Sequence, residues 1–250
     1  MGTQRVLYED LGLVHYKSAW DYQEELVRKN LEIKAIHRAA ADHPAPEPLP
    51  ATRHHLLFCE HYPVYTLGKS GNIDHVLISE DEMEAREIEF FRTNRGGDIT
   101  FHGLQQVVGY PILDLERFYT DIGKYLRDLE EVILLTLEEY GIVAGRSRGE
   151  TGVWIDPGKP GLERKICAMG IRCSRWITMH GFALNVNTDL SYFGNIIPCG
   201  IVNKSVTSME RELGGKVDFE EVKEKLKRNF EKVFGVEIIS AHAPRYPATA

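Results

Sequence analysis

Three strand-like segments in the second half of the chain constrain its fold more than any other feature. They are TGVWID (151–156), KICAMGIRC (165–173) and ITMHGFALNV (177–186), and turn-forming sequence such as DPGKPG separates them. Helical patterns lie before and after these segments, without the regular strand–helix–strand order that builds a parallel sheet. The sequence therefore predicts an α+β fold with a mixed, largely antiparallel sheet or sheets flanked by helices.

Apolar residues at helical spacing predict three long helices, over residues 16–38, 116–140 and 218–234. Asp218 is the expected N-cap of the last one. A shorter helix is predicted after residue 206, with a capping box formed by Thr207 and Glu210 and a stop at Gly214. Before the second helix, the β-rich run HLLFCEHYPVYTLG (55–68) contains Pro63, which cannot donate to a sheet ladder and so indicates an edge strand, a bulge or a break.

A proline-rich stretch, AAADHPAPEPLPAT (39–52), follows the first predicted helix. Alternating prolines exclude a helix or a central strand and favour an extended loop on the surface. No complete core precedes this loop, so it is interpreted as an excursion within one domain. The sequence predicts a single domain over residues 1–250.

Composition excludes several classes of protein. The chain has 250 residues, 43% of them hydrophobic and 27% charged, which is typical of a globular protein that buries a sizeable core. No apolar run approaches the length of a membrane span, and the N-terminus does not resemble a secretory signal. The expected location is the cytoplasm, with no membrane association.

The four cysteines are too few and too scattered for a secreted disulfide framework. The series Cys167, Cys173, His180 and Cys199 also lacks the closely spaced pair of a structural zinc site. Reduced thiols and no bound metal are therefore expected.

The net charge of −7 argues against a nucleic-acid partner, because phosphate contacts need a basic surface. The charge is uneven: residues 146–175 contain seven Lys and Arg against three acids, a local charge of +4. This window could attract an acidic partner, or its basic residues could simply lie on exposed turns.

The segment IIPCGI (196–201) places the thiol of Cys199 between a proline and a glycine. Proline restricts the backbone and glycine lets another molecule approach it closely, which suits a displayed side chain. A buried thiol in a turn is the plainer interpretation, and the segment alone does not distinguish the two.

The segment RGGDITFHGLQQ (95–106) combines two adjacent glycines with several hydrogen-bonding side chains. It matches neither a dinucleotide fingerprint nor a phosphate-binding P-loop. Two interpretations stay open for it, a ligand-binding loop and a hairpin turn in which His102 is structural.

Lys165 lies in a strand-like segment next to Ile166. An ammonium group near Cys199 would favour its thiolate, the reactive form of a thiol, and a partly buried lysine can act as a general acid or base. A surface lysine beside Arg164 is the alternative.

Several blocks together closely resemble the lipoyl(octanoyl) transferases, the lipoate B family. They appear in the family's order and cover most of the chain from residue 60 onward: EHYPVYTLG (60–68), RGGDITFHGLQQVVGYPILDL (95–115), KICAMGIR (165–172), HGFALNVNTDL (180–190), IIPCGI (196–201) and VTSM (206–209). The resemblance implies the catalytic fold that this family shares with biotin and lipoate protein ligases.

The resemblance also implies residue roles. Cys199 would carry the acyl group as a thioester, and Lys165 would activate it. The acyl-binding walls would comprise Arg95, Gly96, Gly97, Asp98, Ile99, Thr100, Phe101, His102, Ala168, Met169, Gly170, Gly181, Phe182 and Ala183.

The implied reaction transfers an octanoyl group from octanoyl-acyl carrier protein to a lysine of lipoyl domains. The acceptors would be the lipoyl domains of 2-oxoacid dehydrogenase subunits and the glycine cleavage H protein, and the reaction would be the first step of endogenous lipoate biosynthesis. A thioester donor is already activated, so no ATP, metal or redox cofactor is expected. Because acyl carrier proteins are generally acidic, the donor would be the acidic partner of the basic window.

Two other functions, a protein ligase and a binding protein, are alternatives to the acyl transferase. An ATP-dependent lipoate or biotin protein ligase of the same fold needs no nucleophilic cysteine, so Cys199 speaks against it. A binding protein without catalysis would not need both Lys165 and Cys199.

The chain departs from the family pattern at Cys167, where members commonly carry alanine, so a second thiol could lie near Lys165. Residues 43–50 look like an insertion.

Overall fold

The computed structural model describes residues 3–42, 48–197 and 205–243. Its strands are β1 (Gln4–Val14), β2 (His54–His61), β3 (Val64–Leu67), β4 (Glu89–Arg92), β5 (Ile99–His102), β6 (Gln106–Ile112), β7 (Ala144–Gly145), β8 (Val153–Ile155), β9 (Arg164–Ser174), β10 (Ile177–Asn185), β11 (Ser205–Val206) and β12 (Val236–Ser240). Its α-helices are α1 (Tyr16–Asp42), α2 (Glu80–Ala85), α3 (Ile122–Glu138), α4 (Met209–Leu213) and α5 (Phe219–Phe234). Short 3-10 helices cover Ile73–His75, Leu115–Arg117 and Leu190–Asn195.

The larger of the two sheets has the order β12-β1-β2-β6-β10-β9-β8-β7, and β11 pairs with β9. Strand β1 is parallel to β12 and β2, and β11 is parallel to β9. The other pairings in this sheet are antiparallel. The sheet is therefore mixed and largely antiparallel, which confirms the predicted fold class.

Helices cover both faces of the large sheet. On one face, α3 and α5 pack against the strands through side chains such as Leu129, Ile133 and Phe230. On the other face, α1 contributes Ala19 and Leu26 to a second cluster of buried side chains. These two apolar layers fix the faces of β6, β9 and β10, since successive side chains of a strand point to opposite sides.

A smaller sheet has the order β4-β3-β5. It packs against α2 and the 190–195 turn around Tyr65, Phe101 and Phe193. Strand β5 leads through a three-residue connection into β6, so the small sheet is held beside the middle of the large one.

Most local predictions are confirmed. The β-rich run breaks at Pro63 into β2 and β3, and the three strand-like segments form β8, β9 and β10. Asp218 caps α5 by accepting a hydrogen bond from the backbone N–H of Glu221. Gly214 ends α4 in the left-handed conformation, with φ of 73°.

Two helix starts differ from the predictions. The second long helix begins at Ile122 and not at 116, because the carboxylate of Asp121 caps it by accepting from the N–H of Lys124 over 2.8 Å. The short helix is capped by Ser208 and not by Thr207, whose hydroxyl donates to Glu212 over 2.5 Å. In both cases a polar side chain just before the observed helix accepts a hydrogen bond from one of its first backbone N–H groups.

The proline-rich stretch begins later than predicted. Helix α1 continues to Asp42, so residues 39–42 are helical and not part of a loop. Residues 43–47 lie outside the described residues, and residues 48–53 form no regular element. None of the helices in the described part of the chain is long and apolar enough to cross a membrane.

Candidate active site

A pocket lies where the small sheet meets strands β6, β9 and β10 of the large sheet. It encloses about 760 Å³, including the space at its mouth that is open to solvent. Its lining combines apolar and polar side chains: Tyr16, Arg95, Gly97, Asp98, Ile99, Thr100, His102, Gln106, Val108, Tyr110, Lys165, Ala168, Met169, Gly170, His180, Gly181, Phe182, Ala183, Asn185, Phe193 and Val206. A partly apolar, concave site of this size suits a small acyl chain.

The structure places most of the predicted site residues at this pocket. Thirteen of the sixteen line it, including Lys165. Gly96 does not; its N–H donates to the carbonyl of Ile171 over 2.9 Å. Phe101 does not either, because its side chain points away from the pocket and stacks on Tyr192 with ring centroids 4.5 Å apart. The alternation of β5 explains this second difference, since Phe101 and His102 face opposite sides.

Cys199, the predicted nucleophile, lies outside the described residues. The chain on either side of its segment is described. Ile197 donates its N–H to the carbonyl of His75 over 2.8 Å. After the segment, β11 runs parallel to the start of β9, with Val206 opposite Lys165, and the N–H of Thr207 donates to the carbonyl of Lys165 over 3.0 Å. The chain that leaves the segment is thus attached to the strand that carries the lysine.

Lys165 is half-buried on β9 and lies against the indole of Trp154 on β8. Its Nζ is 4.6 Å from the centroid of that ring. The two residues are opposite each other across the β8–β9 pairing. Lys165 is therefore part of a pocket wall and not a freely extended surface side chain.

The three described cysteines are not candidates for the nucleophile. Cys167 is fully buried in the core, and burial raises the pKa of its thiol well above the usual range. Burial also raises the pKa values of Cys59 and Cys173. A thiol with a raised pKa is almost entirely protonated near neutral pH and a poor nucleophile. The second thiol suggested by the sequence thus lies two residues from Lys165 but is inaccessible.

Arg95 is buried at the floor of the pocket, where β3 meets the 95–98 loop. Its guanidinium donates to the hydroxyl of Thr66 over 2.9 Å, to the carbonyl of Thr66, and to the carbonyl of Gly96 over 3.0 Å. These bonds tie the glycine loop to the small sheet. In the same loop, Asp98 contacts His75 with an Oδ2–Nδ1 distance of 2.5 Å.

A chain of buried hydrogen bonds joins the small sheet to β11. His102 Nδ1 and Gln106 Oε1 are 2.8 Å apart, and Gln106 donates to Asn185 Oδ1 over 2.8 Å. Asn185 in turn donates to the carbonyl of Thr207 over 3.0 Å. Because Gln106 uses its oxygen as the acceptor, His102 carries its proton on Nδ1. The network therefore links a predicted wall residue to the residue that is bonded to Lys165.

Two histidines of the pocket are neutral near pH 7. Burial lowers the pKa of His102 well below its usual value, with His61 and Arg95 adding to the effect. Burial also lowers the pKa of His180, to about 3, and Arg95 and Arg172 add to the effect. These two side chains therefore add no positive charge to the lining, whose cations are Arg95 and Lys165.

Two predicted wall residues, Gly170 and Gly181, line the pocket and also lie very close to neighbouring main chain. A Cβ at Gly181 would lie 2.1 Å from the carbonyl oxygen of Gly109, and one at Gly170 would lie 2.6 Å from that of Gly96. Both glycines thus permit the close approach of neighbouring main chain and shape the pocket indirectly.

Sequence reasoning did not predict eight lining residues: Tyr16, Gln106, Val108, Tyr110, His180, Asn185, Phe193 and Val206. Six of them lie inside the sequence blocks that carry the family resemblance, and Tyr16 and Phe193 lie outside those blocks. Their position on the pocket face depends on strand register and on the packing of α1, which no local pattern reveals.

The basic window is less positive than its sequence indicates. Four of its seven basic side chains form ion pairs with carboxylates: Arg146 with Glu130 and Glu131, Lys159 with Asp156, Arg164 with Asp156 and Glu212, and Arg172 with Glu24. Most of these acids lie outside the window in the sequence. The fold therefore reduces the attraction of this surface for an acidic partner.

A pocket wall that carries a half-buried lysine bonded to Thr207, on this mixed sheet, is consistent with an acyl-handling catalytic domain. The sequence profile of the lipoyl protein ligase A/B catalytic domain matches residues 15–231. The chain belongs to this family, which confirms the resemblance found from the sequence.

Two relatives illustrate the degree of similarity. The chain is 55% identical over 237 residues to the octanoyltransferase of Christiangramia forsetii, which covers 94% of this chain and 98% of the relative. It is 56% identical over 238 residues to the octanoyltransferase of Flavobacterium psychrophilum, which covers 95% of this chain and 100% of the relative.

Solved structures with the same fold are lipoate protein ligases. A bipartite lipoate protein ligase from Thermoplasma acidophilum matches with a TM-score of 0.64 at 19% identity, over 98% of this chain and 88% of its own. A lipoate-protein ligase A bound with ATP matches with a TM-score of 0.66 at 16% identity, over 97% and 90%. At these identities the likeness establishes the fold.

Proposed function

We propose that the protein is an octanoyltransferase, an enzyme that transfers an octanoyl group from octanoyl-acyl carrier protein to a lysine of lipoyl domains through a thioester on Cys199. The observation that carries the proposal is the place of Lys165, on the wall of the pocket and bonded to the chain that follows Cys199. The names of the two relatives, at more than half identity over nearly the whole chain, support the same activity.

In the first step, the thiolate of Cys199 attacks the carbonyl carbon of the donor thioester. The tetrahedral intermediate collapses, the new thioester forms on Cys199, and the carrier leaves as a thiolate that takes up a proton. Lys165 contributes its positive charge, which favours the thiolate of Cys199, and it can supply the proton to the leaving sulfur.

In the second step, the neutral amine of the acceptor lysine attacks the acyl-cysteine. An amide bond forms, the amine loses its extra proton to a base, and the sulfur of Cys199 leaves as a thiolate. Lys165 again stabilises that thiolate. Neither step consumes ATP, because the energy of the donor thioester is carried through both transfers.

The pocket supplies the binding energy for the acyl chain. Apolar walls at Ile99, Val108 and Met169 can cover methylene groups, and each buried methylene contributes ~0.8 kcal/mol.

The proposal includes the partners and setting expected from the sequence. The donor is octanoyl-acyl carrier protein, the acceptors are lipoyl domains of 2-oxoacid dehydrogenase subunits and the glycine cleavage H protein, and the reaction takes place in the cytoplasm. Residues 1–250 would form one catalytic domain. Across the described residues, no three His, Cys, Asp or Glu side chains come together in a way that could hold a metal ion.

The rival function is an ATP-dependent lipoate ligase, since the solved structures with this fold are ligases. The octanoyltransferase relatives and Cys199 favour the transferase. The test is incubation with octanoyl-acyl carrier protein without ATP, followed by intact-mass and peptide analysis. One octanoyl group should appear on the Cys199 peptide and be released by hydroxylamine. Transfer that occurs only when ATP is added would identify a ligase.

A third outcome separates catalysis from binding. A protein that retains octanoyl-acyl carrier protein on a column but never acquires the acyl mass would be a binding protein. The Cys199→Ser variant serves as the control, because it should fold normally and acquire no hydroxylamine-labile acyl group.

A further inference from the structure

The indole of Trp154 forms a platform for the ammonium group of Lys165. Trp154 is only 2% exposed, and the Nζ of Lys165 lies 4.6 Å from its ring centroid. A cation within ~6 Å of an aromatic face is attracted to it, and tryptophan gives the strongest such contact. The contact is made across adjacent strands, so the backbone pairing of Trp154 with Lys165 fixes its geometry.

The loop before Trp154 is fixed in place by Glu130 of helix α3. Gly152 donates its N–H to the buried carboxylate of Glu130 over 3.0 Å. Glu130 also accepts from Arg127 over 2.8 Å and from Arg146 over 3.0 Å. Two guanidinium groups thus balance the charge of this carboxylate, and the first residues of β8 are held against α3.

Gly152 itself leaves the space that this arrangement needs. Its φ is +112°, and a Cβ there would lie 2.6 Å from the carbonyl oxygen of Cys167 and 3.7 Å from the Cε of Lys165. Only glycine adopts this conformation without strain. The main chain beneath Lys165 therefore approaches β9 closely, and the lysine side chain is confined between Gly152 and the indole.

The described ionisable groups that share the pocket lining with Lys165 are Tyr16, Arg95, Asp98, His102, Tyr110 and His180. The two histidines are neutral, burial raises the pKa values of both tyrosines, and Arg95 is positive. Asp98 contacts His75. Beneath the strand, Cys167 is protonated and Glu130 is bound to two arginines.

We infer that Trp154 is a positioning residue for Lys165: its indole stabilises the charged form of the lysine and holds the ammonium at the pocket wall. For the reaction, this inference rests on the proposed function, because a fixed ammonium favours the thiolate of Cys199. For the lysine alone it stands independently, since the face of an indole attracts any ammonium group placed over it.

The inference is tested on Lys165 itself. Competitive labelling with acetic anhydride, followed by peptide mass spectrometry, measures the acetylation rate of this one amine relative to the other lysines. Replacing the ring in Trp154→Leu should raise that rate ~3–10-fold, the factor expected for the loss of a cation–π contact. Trp154→Phe should restore part of the protection, because phenylalanine keeps an aromatic face. Trp176→Leu, which removes an indole from the turn after β9, is the matched control and should leave the rate unchanged.

A double-mutant cycle separates positioning from simple loss of packing. The readout is the pH midpoint of Cys199 alkylation by iodoacetamide. Trp154→Leu should raise the midpoint in the wild-type background and leave it unchanged in Lys165→Met, where no ammonium remains to be positioned. An equal shift in both backgrounds would assign Trp154 a purely structural role and overturn the inference. So would an unchanged acetylation rate of Lys165 in a folded Trp154→Leu protein.

Failure of the proposed function gives a different pattern. If no acyl adduct forms on Cys199, the transferase proposal fails, whatever Trp154 does to the acetylation rate of Lys165. If the adduct forms normally and Trp154→Leu changes neither the acetylation of Lys165 nor the alkylation of Cys199, only the inference about Trp154 fails.

Discussion

The N–H of Thr207 donates a 3.0 Å hydrogen bond to the carbonyl oxygen of Lys165. The same pairing continues through Val206, which lies opposite Lys165 in the parallel contact of β11 with β9. Residues that are about forty positions apart in the sequence are therefore neighbours. The link also connects Lys165 to the buried network, since the carbonyl of Thr207 accepts from Asn185.

Lys165→Met should nearly abolish acyl transfer. The substitution keeps most of the apolar stem and removes the ammonium, so the thiolate of Cys199 loses its neighbouring charge. Turnover measured with octanoyl-acyl carrier protein and a lipoyl domain should fall by ~100-fold or more, the usual range for a general acid–base group. Lys159→Met, an exposed lysine of the same basic window, is the control and should remain active. A Lys165→Met enzyme with normal turnover would remove Lys165 from the mechanism.

Cys167→Ala should retain activity. The thiol is fully buried and its pKa is raised, so it cannot compete as the nucleophile. Loss of its sulfur should lower the free energy of unfolding by about 1 kcal/mol, because a small cavity remains in the core. Turnover and urea denaturation check the two parts separately. An inactive but folded Cys167→Ala protein would reassign the nucleophile.

Asn185→Ala should reduce both stability and turnover. It removes the side-chain donor to the carbonyl of Thr207 and leaves the amide of Gln106 only its acceptor at the carbonyl of Phe101, at a cost of about 1–3 kcal/mol in the free energy of unfolding. Turnover should fall because Thr207 is bonded to Lys165. Asn187→Ala is the matched control: Asn187 also makes side-chain hydrogen bonds, to Gln105 and Val217, but it does not line the pocket. Equal losses of turnover in the two variants would contradict a role for the network.

Gly181→Ala should destabilise the protein. A Cβ at this position would lie 2.1 Å from the carbonyl oxygen of Gly109, so β6 and β10 would have to separate. The expected loss is about 2 kcal/mol or more in the free energy of unfolding, measured by chemical denaturation. Gly194→Ala is the control, since a Cβ there meets no atom within 4 Å. Similar stability of the two variants would show that the strands can move apart at little cost.

Acidification should destabilise the protein through its buried histidines. Burial lowers the pKa of His180 to about 3 and those of His54 and His61 to about 4. Each is neutral when folded and takes up a proton on unfolding below its ordinary pKa of about 6.5. The free energy of unfolding should therefore be highest above that pH and fall toward pH 4, by up to about 1.4 kcal/mol per pH unit for each histidine.

The check on this pH dependence is urea denaturation of the wild type and of His180→Asn at several pH values. The variant should be less stable at neutral pH and should show a shallower decline on acidification, because one fewer proton is taken up. Parallel curves for the two proteins would contradict the low pKa of His180.

Local patterns were sufficient for much of the fold. The spacing of apolar residues located α1 and α5, Pro63 marked the break between β2 and β3, and three alternating segments became β8, β9 and β10. The strands β1 and β12 were missed. They are parallel partners from the two ends of the chain, with Gln4 opposite Val236, and such a pairing leaves no signal within either segment.

The candidate site, like the fold, could be predicted only in part from the sequence. Motif blocks predicted Lys165 and most of the pocket lining, because residue type and order along the chain carry that information. They could not distinguish Phe101, which faces the small-sheet core, from His102, which faces the pocket. They also did not reveal Tyr16 or His180 as lining residues. Tyr16 reaches the pocket from the start of α1, and His180 lies on β10 with a positive φ of 59°.

The order of residues along the chain thus specified the fold class, most helices and strands, and the chemical groups available for acyl transfer. The folded structure determined which of those groups are in contact: the ring of Trp154 lies against Lys165, and the N–H of Thr207 donates to the carbonyl of Lys165. It also determined that Cys167 is buried in the core. The physical reason is that proximity and burial depend on strand register and on contacts between distant segments. These same contacts set the pKa of each thiol and histidine, and so they determine which groups can react.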